Sequence, residues 1–208
     1  RKITQIEIEL AALKKEKTQE KNPIIVGDEV YFEPLHQTEG IILSILPRRS
    51  LLSRQDNLHR IKKHLIAANV DQVFITQSCV LTALKPAIID RYLIAAQKGQ
   101  MTPILVFNKI DLVQNCPEEK KLLHELEAMY RALDVKVISV SANTAEGLEE
   151  LKRKMQGKIS VFSGQSGTGK TSLINAMTGL ERLTGAAISA TNKGAHTTSS
   201  ASLIELPF

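Results

Sequence analysis

The sequence has no tryptophan, and its aromatic content is only 4%. A protein that grips nucleic acid mainly by stacking bases on rings is a poor fit to that composition. Phosphate and shape contacts are the mode left open. Cysteine is scarce as well: Cys79 and Cys116 cannot build a disulfide framework and fall short of a zinc site. No apolar run approaches the roughly 18–20 residues that span a bilayer, so no membrane association is expected. Residue 1 is Arg, and no charged-then-apolar leader follows it; the expectation is a cytoplasmic protein whose chain starts inside a longer product. What remains is ordinary globular material. The 208 residues are 43% hydrophobic and 24% charged, enough for one large domain or two small ones. A net charge of +5 leans mildly toward polyanionic partners.

The first sixty or so residues read as β-structure. Ile6 to Leu10 alternate apolar with polar, Lys14 to Asn22 read as a polar loop, and Gly27-Asp28 marks a turn before Glu29–Glu33. Gly40 opens a further run to Leu46 that Pro47 ends. Short strands so closely spaced suggest a small barrel such as an OB-fold. From Leu65 onward the period changes. Strands are expected over 70–76, 103–107, 135–140 and 159–163, and helices over 86–98, 117–133, 147–155 and 171–177. The helix over 117–133 should bury Leu122, Leu123, Leu126, Met129 and Tyr130. Continuously apolar strands alternating with helices are the pattern of a parallel sheet covered on both faces. The fold class is thus α/β, with a barrel over residues 1–60, incomplete at its N-terminus, followed by a sheet domain over 61–208.

Three short motifs carry the chemistry. Gly164-Gln165-Ser166-Gly167-Thr168-Gly169-Lys170-Thr171 matches G-x-x-x-x-G-K-[ST] between a strand and a helix, which is the context a phosphate loop requires. Its backbone N–H groups and the helix start at Thr171-Ser172 would cradle phosphates. Lys170 would reach the β- and γ-phosphates, and the Thr171 hydroxyl would ligate Mg²⁺. Asn108-Lys109-Ile110-Asp111 follows an apolar strand and resembles the N-K-x-D guanine-specificity motif. Asp111 would accept from the guanine N1–H and 2-amino groups, and the Lys109 stem would lie along the base. Ser141-Ala142 ends the next strand and resembles the element whose backbone N–H meets guanine O6. A helix cap at Asn143 or Thr144 is the alternative reading.

In ordinary small GTPases the phosphate loop precedes N-K-x-D; here it comes last, so the domain reads as circularly permuted, as is feasible where domain termini lie close together. With Gly27-Asp-Glu-Val30, Ile45-Leu-Pro-Arg-Arg49, Ala67-Ala-Asn-Val-Asp-Gln72, Ile89-Asp-Arg-Tyr-Leu93 and Lys193-Gly-Ala-His-Thr-Thr198, this order resembles the ribosome small subunit-dependent GTPases, the RsgA, YjeQ or EngC family, over nearly the whole chain. The resemblance implies an OB-fold, a permuted GTPase domain and a zinc-binding domain whose ligands would lie beyond Phe208. It implies GTP hydrolysis with GTP/GDP and Mg²⁺, and action by a monomer on the small (30S) ribosomal subunit and its 16S rRNA late in assembly. It also implies that 194–198 is the first switch, with Thr197 and Thr198 completing the Mg²⁺ shell and His196 orienting the attacking water.

The sequence departs from the family in three ways. Glu205–Phe208 match the γ-phosphate-sensing D-x-P-G only superficially, so the chain is expected to stop short of that element. No zinc cluster is present, and Ala195 stands where the family has Arg. Arg48, Arg49, Arg54, Arg60, Lys62 and Lys63 form a basic cluster expected to meet rRNA. The remaining histidines, His36, His59, His64 and His124, read as surface residues. Two other classes compete: a nucleotide-gated RNA-binding module with incidental hydrolysis, and an ATP-using P-loop kinase, which Asn108–Asp111 argues against.

Overall fold

The computed structural model describes residues 24–36, 39–55, 63–80, 84–179 and 203–207. The expected strand at Ile6–Leu10, the loop at Lys14–Asn22 and the switch segment with His196, Thr197 and Thr198 lie outside them. The chain divides into two compact units between Asn69 and Val70.

In the first unit, β1 (Val30–Pro34) and β2 (Gly40–Ile45) pair antiparallel with an irregularity between Tyr31 and Phe32. Two further strands, β3 (Leu51–Gln55) and β4 (Lys63–Ala68), form a second antiparallel pair that the sequence reading did not anticipate. Among the described residues these are two separate two-stranded sheets, not a closed barrel. Polar ties hold the segments between them. Asp28 Oδ1 accepts from Arg48 Nε at 2.7 Å, and its Oδ2 accepts from Arg48 Nη2 at 2.9 Å and from the Ile25 backbone N–H at 2.9 Å. Asn69, left-handed at φ 55°, accepts from the Arg49 backbone N–H at 2.9 Å and donates to the Gly27 carbonyl at 2.8 Å. Gly27 sits at φ 92° against this junction, where a Cβ would fall 2.0 Å from the Ala68 carbonyl oxygen, so only glycine fits.

These contacts correct the reading of Arg48 as part of an rRNA-facing patch, while Arg49 stays exposed. Arg48 is spent on Asp28, whose side chain is only 1% exposed, and Arg49 Nη2 donates to the Asn69 carbonyl at 2.6 Å. Removing one partner of a buried, bidentate pair strands the other charge, which costs about 3–5 kcal/mol. Arg48→Ala is therefore expected to lower the stability of the first unit by about 3 kcal/mol, read by chemical denaturation of the full chain. A loss under about 0.5 kcal/mol, the scale of ordinary surface changes, would return Arg48 to the surface.

The second unit is built on four parallel strands in the order β7-β6-β5-β8: β5 (Gln72–Ser78), β6 (Thr102–Asn108), β7 (Lys136–Val140) and β8 (Ser160–Ser163). Every residue of β5 is buried, as a strand covered on both faces requires. One face packs Phe74, Ile104, Val106, Ile138 and Val140 against Leu148, Leu151 and Met155 of α3 (Leu148–Met155) and Leu173 and Met177 of α4 (Lys170–Thr178). Helix α1 (Pro86–Lys98) packs on β5 and β6, and α2 (Pro117–Ala132) on β7. Proline at the first turn starts α1 and α2, where its missing N–H costs nothing. Left-handed Gly179 stops α4. The buried stripe of α2 is Leu123, Leu126 and Tyr130, narrower than expected: Leu122 and Met129 are 39% and 43% exposed. His36 and His124 are exposed, as read. Cys79 is buried, and that burial, with Glu127 and Asp111 nearby, pushes its thiol up to about 12.

Candidate functional site

The site lies where a parallel sheet offers one, beyond the carboxyl ends of its strands. β6 ends in Asn108, β7 runs into Ser141, and β8 runs into Gly164. The three motifs are therefore delivered to one edge, and they are tied to one another by side chains.

Asn108 makes the central tie. Its Nδ2 donates to the Thr168 carbonyl at 2.9 Å, and its Oδ1 accepts from the Ala142 backbone N–H at 3.3 Å. One buried amide thus joins all three loops, so Asn108 acts as a strut more than as a base contact. Gly169 follows from it: at φ 87°, its Cβ would stand 2.3 Å from Asn108 Nδ2. Lys109, also left-handed at φ 67°, reaches back and donates from Nζ to the Gly167 carbonyl at 2.7 Å. Its stem thereby crosses the space between the two motifs, as a residue lying along a base would.

Asp111 stands half-buried in the short 3₁₀ helix Ile110–Asn115. Ser141 Oγ donates to its Oδ1 at 2.7 Å. The same Ser141 oxygen accepts from the Asn143 and Thr144 backbone N–H groups at 3.2 and 3.1 Å. Ser141 therefore closes a turn and also orients Asp111. The turn is not a helix cap, because α3 begins after Gly147 and has no side-chain cap. Gly147 is left-handed there because a Cβ would meet the Ser139 carbonyl oxygen at 2.3 Å.

The phosphate loop turns its side chains inward. Thr168, fully buried, donates from Oγ1 to the Gln165 carbonyl at 3.0 Å. Lys170 Nζ donates to the Gly164 and Gln165 carbonyls at 3.0 and 2.7 Å. Burial holds the Lys170 ammonium below the usual lysine range, so a cation short of solvent waits where an anion would relieve it. Gly167 and Gly169 are both left-handed, and Lys170 opens α4, whose N-terminus adds positive potential. That arrangement fits a nucleotide's phosphates. Thr171 and Ser172 follow in the first turn, with Thr171 half-buried and Ser172 exposed. Mg²⁺ is usually held by one or two protein oxygens together with phosphates, so Thr171 suits the ion on a loaded nucleotide. Among the described residues no three His, Cys, Asp or Glu side chains gather to hold a metal, and the zinc ligands that the resemblance implies would lie beyond Phe208.

A cleft of about 260 Å³ lined by Arg131, Asp134, Lys136, Glu150 and Lys154 opens at the amino end of β7, away from these loops. No helix among the described residues is long and apolar enough to cross a membrane. The sequence reading missed the strut role of Asn108 and the buried amide of Gln77. The polar carboxyl half of β5, Thr76-Gln77-Ser78, after apolar Val73-Phe74-Ile75, was the available signal for the second.

A family model described as RsgA GTPase matches residues 45–208. The small ribosomal subunit biogenesis GTPase RsgA of Ectopseudomonas mendocina is 40% identical over 185 residues, covering 88% of this chain and 52% of that protein. Its counterpart in Chlorobaculum parvum is 37% identical over 195 residues, covering 89% and 61%. The chain thus spans little more than half the length of these curated relatives. The crystal structure of YjeQ from Thermotoga maritima superimposes with a TM-score of 0.65 at 32% identity, covering 89% of this chain and 58% of that one. YloQ, a circularly permuted GTPase, matches with a TM-score of 0.57 at 24% identity, over 83% of this chain and 55% of that one, a likeness of fold. The motif order, the strut that joins the motifs and the match over residues 45–208 lead to one conclusion: this chain belongs to the RsgA GTPase family.

Proposed function

We propose that this chain binds GTP with Mg²⁺ and hydrolyses it while acting on the small (30S) ribosomal subunit late in its maturation, as a cytoplasmic monomer. The observation that carries the reading is the convergence of Asp111, Ser141 and the phosphate loop through Asn108. A carboxylate held by a serine at the end of one strand reads a base, and a desolvated lysine on a glycine-rich loop reads phosphates. A shared strut fixes the distance between the two. The names of the relatives supply the ribosomal partner. The Mg²⁺ that Thr171 would hold would supply charge neutralisation at the phosphates during transfer of the γ-phosphoryl to water. Lys170 would hold the β- and γ-phosphates and Thr171 the ion, with Thr197 and Thr198 completing its shell. His196 would orient the attacking water.

The first unit enters the same proposal as an OB-type barrel contacting 16S rRNA. With Arg48 committed to Asp28, Arg49, Arg54, Arg60, Lys62 and Lys63 are left as its phosphate contacts. The test is equilibrium binding of GDP and ADP to the full chain, followed by steady-state GTP hydrolysis with and without purified small subunits. A clear preference for GDP and a rise in turnover on adding subunits are expected. Equal affinity for ADP would overturn the base reading. Subunit binding without stimulation would favour a nucleotide-gated RNA-binding module.

A further inference from the structure

Two buried side-chain atoms have no hydrogen-bond partner among the described residues: Nε2 of Gln77 and Oε1 of Gln165. One is a donor and the other an acceptor. Buried amide groups are almost always paired, so two complementary orphans in one unit call for a common explanation.

The sheet brings them together. β5 and β8 run parallel with Phe74 beside Phe162 and Ile75 beside Ser163. The two phenylalanine rings stack with centroids 4.9 Å apart, so register partners share a face. Strand pairing ends at Ile75 and Ser163, and Gln77 and Gln165 each lie two residues farther along the chain. The two backbones are close just beyond that point, because a Cβ on Gly164 would stand 2.2 Å from the Thr76 carbonyl oxygen. Gln165, the second residue of the phosphate loop, follows directly on that approach, as Gln77 does on the β5 side.

The loop backbone at Gln165 is tied down from within. The Gln165 carbonyl accepts from Lys170 Nζ and from Thr168 Oγ1. The Lys170 ammonium spends its donors on the loop's own carbonyls. A bound phosphate competes for that ammonium, and charge-assisted bonds to phosphate are the stronger ones. Once Lys170 turns outward, the Gln165 peptide is released from its strongest constraint and its side chain can settle against β5.

We propose that Gln77 is a positioning residue for the phosphate loop: when nucleotide is bound, Gln77 Nε2–H donates to Gln165 Oε1 and pins the second loop residue to β5. Gln77 touches no nucleotide and acts through Gln165. The inference rests on the guanine-nucleotide reading of this site.

The experiment uses the full chain, GDP with Mg²⁺, and the length-matched variants Gln77→Met, Gln165→Met and their double. Each single variant is expected to weaken GDP binding about fivefold, as the loss of one neutral hydrogen bond does. The double variant is expected to be no weaker than the worse single. In ¹⁵N-labelled protein the Gln77 side-chain amide signals should move downfield on adding GDP, and that shift should vanish in Gln165→Met. A passive packing role would change melting temperature and leave the shift and the coupling untouched. Additive losses, no losses, or a shift that persists without Gln165 would overturn the pair. If the variants fold poorly, the wild-type spectrum decides: no contact between the Gln77 amide protons and the Gln165 side chain in the GDP complex overturns it. If wild type binds no GDP, the reading of the site itself fails, which is a separate result.

Discussion

Lys170→Ala is expected to abolish GTP hydrolysis and to weaken triphosphate binding on the order of a hundredfold, the scale set by truncating one partner of a buried charged contact. The ammonium is half-buried against the loop, bonded to the Gly164 and Gln165 carbonyls. Backbone N–H groups and the start of α4 remain in the variant, so diphosphate binding should suffer less than triphosphate binding. Stability should move the other way. Burial lowers the Lys170 pKa, so its charged form is less favourable in the folded than in the unfolded chain. That cost is fully present below the folded pKa and fades as pH rises toward the ordinary lysine value. At neutral pH the alanine variant removes it, and the melting temperature is expected to hold or rise while turnover disappears. Function bought at the expense of stability is what a binding site predicts. Normal turnover in Lys170→Ala would sink the phosphate-loop assignment, and a large fall in melting temperature would make Lys170 a structural residue instead.

Much of the second unit was legible because a parallel sheet writes its strands as unbroken apolar runs. Val73-Phe74-Ile75 and Ile104-Leu105-Val106-Phe107 are such runs, and both are buried centre strands. Proline and glycine punctuation placed α1 and α4 closely. The β3–β4 pair was not legible. Its register shifts between Leu52 and Ser53, which breaks the alternation a half-buried strand would show. Helix spacing also overstated the face of α2, because a three- or four-residue step fits Leu122 and Met129 as well as their buried neighbours.

The site was legible as motifs but not as a mechanism of assembly. Asn108, Lys109 and Gly169 read as three contacts to a ligand, yet two of them bond the loops to each other and the third exists to clear space for Asn108. Long-range ties have no sequence signature. Arg48 and Asp28 stand twenty residues apart, and nothing in the intervening chain marks them as partners, so Arg48 reads with its basic neighbours as surface. Charge clusters identify partners only after internal ties are subtracted.

Asp111→Asn is expected to reverse the base preference. The guanine edge presents an N1–H and a 2-amino group, both donors, and a carboxylate accepts from both. An asparagine offers one acceptor and one donor, so one guanine donor faces an N–H in a half-buried place. Sites built to pair a buried polar group reject the mismatch strongly, and a loss of GDP affinity on the order of a hundredfold or more is expected. Xanthine carries a 2-oxo group where guanine has the amine, and the asparagine N–H can donate to it where carboxylate would repel. The variant leaves the scaffold in place, because Asn Oδ1 can still accept from Ser141 Oγ, as Asp111 does at 2.7 Å. The Asn108 ties to Thr168 and Ala142 do not involve Asp111 and should persist. Competition of GDP and xanthosine diphosphate for a fluorescent nucleotide reads the outcome directly. A gain for xanthosine alongside the loss for guanosine assigns base reading to Asp111. Loss of both nucleotides together would mean that Asp111 serves the Ser141 turn, and unchanged GDP affinity would remove it from the site.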